Sequence, residues 1–255
     1  FNSDKLSVNG NEVAWGTIGN ASTSEGLFFE TLNAIGVHQV PAVINVWDDE
    51  YGISVDNSYQ TTKSSISEVL KGFQRTKSQK GYEILTVKGW DYPSLISTYE
   101  YANNIARKEH VPVLIHVIEL TQPVGHSTSG SHERYKTAER LDWEKSFDCV
   151  VKMKEWILEN GLFSSKELEK VHSECKEYVK NQKDLAWTSF QSTISKERES
   201  LVKILKTIIQ DEKSNEIIDI TNSLLRIREI NRKDIMTVSR KILRASLKAV
   251  SYTHL

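Results

Sequence analysis

Residues Gly19–Ser54 read GNASTSEGLFFETLNAIGVHQVPAVINVWDDEYGIS, and this stretch decides the fold. Just before it, Val13–Ile18 is a short apolar run suited to a strand. GNASTSEG is a Gly-led turn of small residues whose backbone N–H groups can face outward. Thr23 or Ser24 is placed to N-cap an amphipathic helix over Glu25–Ile35, with Glu25 at the positive end of its dipole. After Gly36, PAVINV predicts a second, buried strand that ends on the carboxylates Asp48 and Asp49. A strand–turn–helix–strand unit brings a helix N-terminus and the next strand's C-terminal end to one rim of a parallel sheet. Open α/β sheets bind phosphates on that rim. Oxygen donors from both sides suit a hard cation such as Mg²⁺, with phosphate oxygens completing its shell.

The same alternation continues downstream. Ile66–Phe73 predicts a short helix and Tyr82–Val87 a third strand. A helix then follows, N-capped by Asp91 with Pro93 in its first turn. Leu95, Tyr99, Ala102 and Ile105 share one face of it. PVLIHV at Pro112–Val117 reads as apolar throughout, a fourth strand buried on both faces. Alternating strands and helices predict an α/β fold with a doubly wound, mostly parallel sheet. The next loop, ELTQPVGHSTSGSHERYK (Glu119–Lys136), leaves the C-terminal end of that strand and so falls on the rim already described. It is polar, with histidines, hydroxyls and two glycines and no hydrophobic anchor. Holding such a loop is costly unless something binds it.

All four prolines and eleven of the twelve glycines precede residue 131, which divides the chain in two. Residues 1–140 read as a partial α/β domain, 141–249 as a helical extension, and 250–255 (VSYTHL) as a non-native tail resembling a translated adapter. The extension predicts a helix over Trp143–Glu159 with Val150, Met153, Trp156 and Ile157 on one stripe, ending at Asn160-Gly161. Ser164–Glu167 is a capping box for a long charged helix whose Leu168, Val171, Cys175 and Tyr178 read as packing residues. Further helical runs are read at Leu201–Ile209, Ile217–Ile230 and Ile235–Leu247. Arginines and lysines make this end basic, but no aromatics interleave them, so a solvated helix is the reading and nucleic acid is not a partner.

The chain has 255 residues, 38% apolar, and a formal net charge of −1, so no global field favours nucleic acid or a membrane surface. No apolar run approaches the ~18 residues of a membrane span. Cys149 and Cys175 read as buried small hydrophobes in a reducing, cytoplasmic setting. The first residue is Phe1 rather than Met, and the sequence therefore predicts an internal slice of a longer chain.

GNA at Gly19–Ala21, Asp48-Asp49 at matching spacing, and the flanks ASTSEG and YGIS resemble the cofactor signature of thiamine diphosphate enzymes. The flanks are most similar to the α subunit, or α half, of the decarboxylating first component of 2-oxo acid dehydrogenases. The His-Ser-Thr-Ser run at 126–129 resembles a loop of the same subunits, more the branched-chain than the pyruvate enzymes. Together the matches span Val13–Lys136.

The resemblance implies the thiamine diphosphate-binding fold, incomplete at its N-terminus. It assigns Mg²⁺ to Asn20, Asp49 and the carbonyl of Tyr51. Cofactor contacts fall on Asn20, Ala21, Ser22, Asp49, Tyr51, Ile53 and His126. His126 is also the implied catalytic group, touching the diphosphate and helping to protonate the lipoyl sulfur. Ser127 matches a serine whose phosphorylation switches off some eukaryotic relatives. The chain departs from the family pattern in several places. Asn20 stands for an acid, Asp49 for an amide, Ala21 for a second glycine, Trp47 for an Arg or Gln, Gln122 for an Arg and Gly130 for an Asp. Exchange of acid and amide keeps one carboxylate and one carboxamide, and Ala21 fits if its φ is negative. The loop-ordering Asp–Arg pair is thereby lost, with His132, Glu133 and Arg134 as substitutes.

The implied activity is decarboxylation of a 2-oxo acid and acyl transfer to a lipoyl arm. The implied partners are a β half or subunit, bringing the glutamate that activates the aminopyrimidine, and a lipoyl acyltransferase component. On this reading the slice alone binds cofactor weakly and turns nothing over. Two alternatives stand beside it: a transketolase-like thiamine diphosphate transferase, and a non-catalytic binding module of the same fold.

Overall fold

The computed structural model describes residues 7, 10–126, 132–212 and 214–249. The chain divides into two compact units, residues 1–165 and 166–255. The tail 250–255 lies outside the described residues.

In the first unit, β1 (Ala14–Gly19) leads through α1 (Gly26–His38) to β2 (Ala42–Trp47). A small antiparallel hairpin follows, β3 (Tyr51–Gly52) with β4 (Val55–Asp56), and then the short α2 (Ile66–Val69). β5 (Glu83–Lys88), α3 (Tyr92–Glu109) and β6 (Val113–Ile118) complete the sheet. Its order is β1-β2-β6-β5, and every neighbouring pair is parallel. The register sets Gly19 beside Trp47 and Trp47 beside Val117. The C-terminal ends of β1, β2 and β6 are therefore level.

Helices cover both faces, as a doubly wound sheet requires. Phe28 and Leu32 of α1 and Ile66 of α2 pack with Val46, Tyr82 and Leu114. On the opposite face Ala102, Ile105 and Ala106 of α3 pack with Val43, Val87, Val113, Ile115 and Val117. Each fully buried aliphatic side chain stabilises the unit by roughly 1.5–3 kcal/mol. Asp91 caps α3 by accepting from the Ser94 N–H, with Pro93 in the first turn as the sequence predicts. α1 and α3 end in left-handed residues, Gln39 and His110, shortly before Pro41 and Pro112.

Four local expectations are corrected. Neither Thr23 nor Ser24 caps α1; the Thr23 hydroxyl donates to the Asn20 carbonyl and that of Ser24 to the Gln60 carbonyl, which leaves Glu25 at the N-cap without a side-chain bond. β6 is not apolar throughout, since His116 lies in it with only 1% exposure. The helix over Trp143–Glu159 is two helices, α4 (Ala138–Ser146) and α5 (Cys149–Glu159), because Asp148 accepts from the N–H groups of Val150 and Val151 and starts a new one. Cys175 is exposed and Cys149 half-buried, rather than both buried. α4 and α5 belong to the first unit through Trp143 and Phe147, Trp90 and Phe147, and Tyr92 and Trp156, whose rings are in contact.

The second unit holds most of α6 (Ser165–Glu212), with α7 (Asn215–Leu225) and α8 (Arg232–Ala249). The separate run read at Leu201–Ile209 is the end of α6, and the run from Ile217 stops at Leu225. Ile194, Val202 and Leu205 of α6 pack with Ile217 and Leu224 of α7 and with Val238, Ile242 and Ala245 of α8. Val171 and Tyr178, read as packing residues, are exposed. Among the described residues no helix is long and apolar enough to cross a membrane.

Candidate functional site

The site is built where β1, β2 and β6 end. Asn20 follows β1 directly, and its N–H donates to the Trp47 carbonyl, which ties the ends of β1 and β2 together (2.9 Å). The turn closes as 3-10 helix Ala21–Ser24, with the Thr23 N–H on the Asn20 carbonyl and the Glu25 N–H on the Ser22 carbonyl. Ala21 sits inside this turn at negative φ, so the alanine is accommodated. Asn20 is 4% exposed, and its side-chain Nδ2 has no hydrogen-bond partner among the described residues. An orphaned buried donor costs ~1–3 kcal/mol. Ser22 is exposed and lines an open cleft of about 350 Å³ beside Glu25, Leu27, Phe28 and Ile44.

β2 delivers two buried aspartates with different partners. Asp48 Oδ2 accepts from His116 Nε2 (2.8 Å) and Asn57 Nδ2 (3.4 Å), and Oδ1 accepts from the Glu50 N–H. His116 Nδ1 lies 2.9 Å from the Ser67 hydroxyl, so a polar relay runs from α2 through the sheet to the end of β2. Asp49 Oδ1 accepts from the Tyr51 N–H (3.3 Å), and Oδ2 accepts from His126 Nε2 (2.7 Å). The structure thus joins Asp49, Tyr51 and His126. It also lays the hairpin on the first turn: a Cβ at Gly52 would stand 2.6 Å from the Ala21 Cβ and 2.5 Å from the Gln60 amide. Only glycine permits that approach. Ile53, at the hairpin tip, is 66% exposed and left-handed (φ 56°), as is Glu50 (φ 69°). For a β-branched residue this is a strained conformation.

The loop leaving β6 returns over this edge. The Leu120 N–H donates to the Asp48 carbonyl, and Gly125 turns at positive φ to present His126. A side chain at Gly125 would also crowd His132 and the Tyr135 hydroxyl. Residues 127–131, with Ser127 and Gly130, lie outside the described residues. Of the proposed loop-ordering substitutes, His132 pairs with Glu133 within the loop.

The cations that reach the site instead come from the segment just beyond. Lys136 Nζ donates to both oxygens of Glu144 (2.7 and 2.9 Å), and Arg140 Nε donates to Glu144 Oε1 (2.9 Å). Arg140 Nη2 donates to the Asp49 carbonyl (3.0 Å) and Nη1 pairs with the Glu50 carboxylate. Lys136 and Arg140 also lie over the Tyr51 ring, 4.9 and 5.5 Å from its centre. Burial opposes the Arg140 charge, yet Glu144 and Glu50 more than offset it and its pKa is raised. Burial raises the Tyr51 phenol, with Arg140 pulling the other way, and burial together with Asp49 raises Tyr135. The sequence reading missed His116, Lys136, Arg140 and Glu144. The i, i+4 pair Arg140–Glu144 was the one available signal.

Among the described residues no three His, Cys, Asp or Glu side chains cluster as a metal site. A cation here would need amide and backbone oxygens as well as a carboxylate. That is the donor chemistry of Mg²⁺, which takes one or two carboxylates and completes its shell with phosphate and water. The carboxylate of Asp49 fits the cation, and the buried, unpartnered Nδ2 of Asn20, a donor, fits a phosphate oxygen beside it.

The family model described as "Dehydrogenase E1 component" matches residues 7–194. "2-oxoisovalerate dehydrogenase subunit alpha 1, mitochondrial" of Arabidopsis thaliana is 30% identical over 164 residues, 64% of this chain and 33% of that protein. "2-oxoisovalerate dehydrogenase subunit alpha" of Bacillus subtilis is 27% identical over 152 residues, 60% of this chain and 44% of that one. "Pyruvate dehydrogenase E1 component subunit alpha" of Porphyra purpurea is 28% identical over 177 residues, 69% and 49% of the two chains. The chain spans between a third and a half of the length of these curated relatives.

Proposed function

This chain belongs to the dehydrogenase E1 component family, and from that premise we propose that it is the α-side part of a 2-oxo acid dehydrogenase's decarboxylating component. On this reading it binds the diphosphate and Mg²⁺ of thiamine diphosphate at the joined ends of β1 and β2. Bound thiamine diphosphate supplies the nucleophilic carbon and electron sink for decarboxylating a 2-oxo acid. Asp49 and Asn20 offer side-chain oxygens to Mg²⁺, and Tyr51 offers its carbonyl. Ala21 and Ser22 lend their turn to the diphosphate, with Ile53 at the hairpin tip completing the cofactor contacts. His126 exchanges Asp49 for the diphosphate and holds the proton destined for the lipoyl sulfur, a role suited to an imidazole near neutral pH. The names of two relatives, with the His-Ser-Thr-Ser loop, favour a branched-chain 2-oxo acid. The partners are a β half or subunit, as expected of an alpha subunit, and a lipoyl acyltransferase component. A reducing, cytoplasmic setting suits two unpaired cysteines.

The observation that carries this reading is the meeting of three predicted elements: Asn20 bonded to the end of β2, Asp49 one residue beyond Asp48 there, and His126 on Asp49. The full-length protein with its partners tests it. Asn20→Ala with Asp49→Ala is expected to abolish Mg²⁺-dependent decarboxylation, and undiminished turnover would defeat the assignment. A non-catalytic binding module has one observation in its favour, since both Asp49 oxygens already accept hydrogen bonds. It predicts that the wild-type protein with its partners decarboxylates no 2-oxo acid, with or without Mg²⁺.

A further inference from the structure

The residues around Asp49 are held in a shape that the hairpin does not secure by itself. Glu50 and Ile53, neither of them glycine, are left-handed on either side of Tyr51. Such conformations persist where surrounding groups over-determine them. Within the segment, the Glu50 N–H donates to Asp48 Oδ1 and the Asn57 N–H to the Glu50 carbonyl. From outside, one side chain takes hold of both ends of the Asp49–Glu50 peptide region. Arg140 reaches the Asp49 carbonyl with Nη2 and the Glu50 carboxylate with Nη1, while Nε is spent on Glu144. Glu144 is itself fixed, 1% exposed and held through both oxygens by Lys136. The guanidinium lies 4.7 Å from the Trp143 ring centre and also over Tyr51, and its side chain is only 16% exposed. Three acceptors in three directions match the rigid fork of an arginine and not the single ammonium of a lysine.

We propose that Arg140 is a positioning residue for the Mg²⁺–diphosphate site, acting through the Asp49–Glu50 backbone to keep Asp49 and the Tyr51 carbonyl in ligand-presenting orientation. The role deepens the reading given above and rests on it. Asp49 is gripped twice from the same stretch of chain, at its carboxylate by His126 and at its carbonyl by Arg140. When His126 lets go, Oδ2 becomes free to ligate while the Tyr51 N–H still holds Oδ1 and Arg140 keeps the peptide in place. The grip on the carboxylate is exchangeable and the grip on the carbonyl is permanent.

The test uses full-length protein carrying Arg140→Gln, the milder Arg140→Lys, and Arg75→Gln as control. Arg75 pairs with Glu83 and Glu109 at the start of β5 and the end of α3, remote from the rim. In cofactor-free protein, hydrogen exchange at the Tyr51 and Asn57 amides is expected to quicken in Arg140→Gln and stay unchanged in the control, with β6 amides unaffected in both. Calorimetric titration of thiamine diphosphate is expected to show the half-saturating Mg²⁺ concentration raised about tenfold, equivalent to ~1.4 kcal/mol, with binding capacity intact at saturating Mg²⁺. Arg140→Lys should fall between, and it stands in if the glutamine variant does not fold. Wild-type protein that binds, beside variants with unchanged exchange and Mg²⁺ demand, would overturn the role of Arg140 alone. Wild-type protein that binds no thiamine diphosphate at any Mg²⁺ concentration would overturn the site reading and this role with it.

Discussion

Asp48 and Asp49 are adjacent, both buried, and each meets a histidine at under 3 Å, yet the two pairs are built for different ends. His116 is a β6 residue inside the sheet, 2% exposed at its side chain, with its second ring nitrogen on Ser67. His126 belongs to a loop, 30% exposed at its side chain. One pair is closed on all sides; the other faces the rim. Breaking a buried pair leaves an uncompensated charge, whereas a partly exposed pair is screened by water and exchanges readily. Burial separates the two pairs: Asp48–His116 is a closed lock, and on the proposal made above Asp49–His126 is a latch.

The largest expected effect breaks the lock. His116→Ala should destabilise the protein by about 3–5 kcal/mol in urea unfolding, since Asp48 then loses its buried partner. His126→Ala should cost under ~1 kcal/mol in the same measurement. Equal losses would erase the distinction. The latch is read out by ligand instead. Asp49→Ala is expected to weaken Mg²⁺-dependent thiamine diphosphate binding by about a hundredfold, equivalent to ~2.8 kcal/mol, while lowering the unfolding midpoint less than His116→Ala does. A third substitution sharpens the geometry between the two strand ends. Gly52→Ala should cost ~1–3 kcal/mol, because its methyl enters the space of Ala21 and Gln60, and Ala21→Gly should recover part of the loss.

The smallest effect concerns a buried polar group far from the rim. Tyr82 donates its hydroxyl to the Leu32 carbonyl (2.7 Å), and burial raises its pKa. The folded protein holds that proton more tightly than the unfolded chain. Its contribution is therefore complete below the ordinary tyrosine value near ~10 and is lost as pH rises beyond it. Tyr82→Phe should cost ~1 kcal/mol at neutral pH and flatten the alkaline decline, followed by unfolding midpoints between neutral pH and the alkaline limit.

The alternation of strands and helices was legible because each element carries its own period and punctuation, as Asp91 and Pro93 do for α3. So was the arrival of His126 near Asp49, since the loop had to leave β6 on the shared rim. His116 was hidden inside an apolar run, where one polar residue does not change the pattern. Its meaning depends on Asp48 and Ser67, 68 and 49 residues away in sequence. Arg140 was hidden for a related reason: Asp49 and Glu50 are about 90 residues away along the chain. Thr23 and Ser24 have capping chemistry, but closer carbonyls took their hydroxyls. Local grammar shows elements, and long-range polar partners remain invisible to it.

Calorimetric titration of thiamine diphosphate into the full-length protein, with and without Mg²⁺, tests the central claim most directly. The account predicts saturable binding that requires Mg²⁺ and disappears in Asn20→Ala with Asp49→Ala. Binding that ignores both the metal and those two residues, or none at all in the wild type, would contradict it.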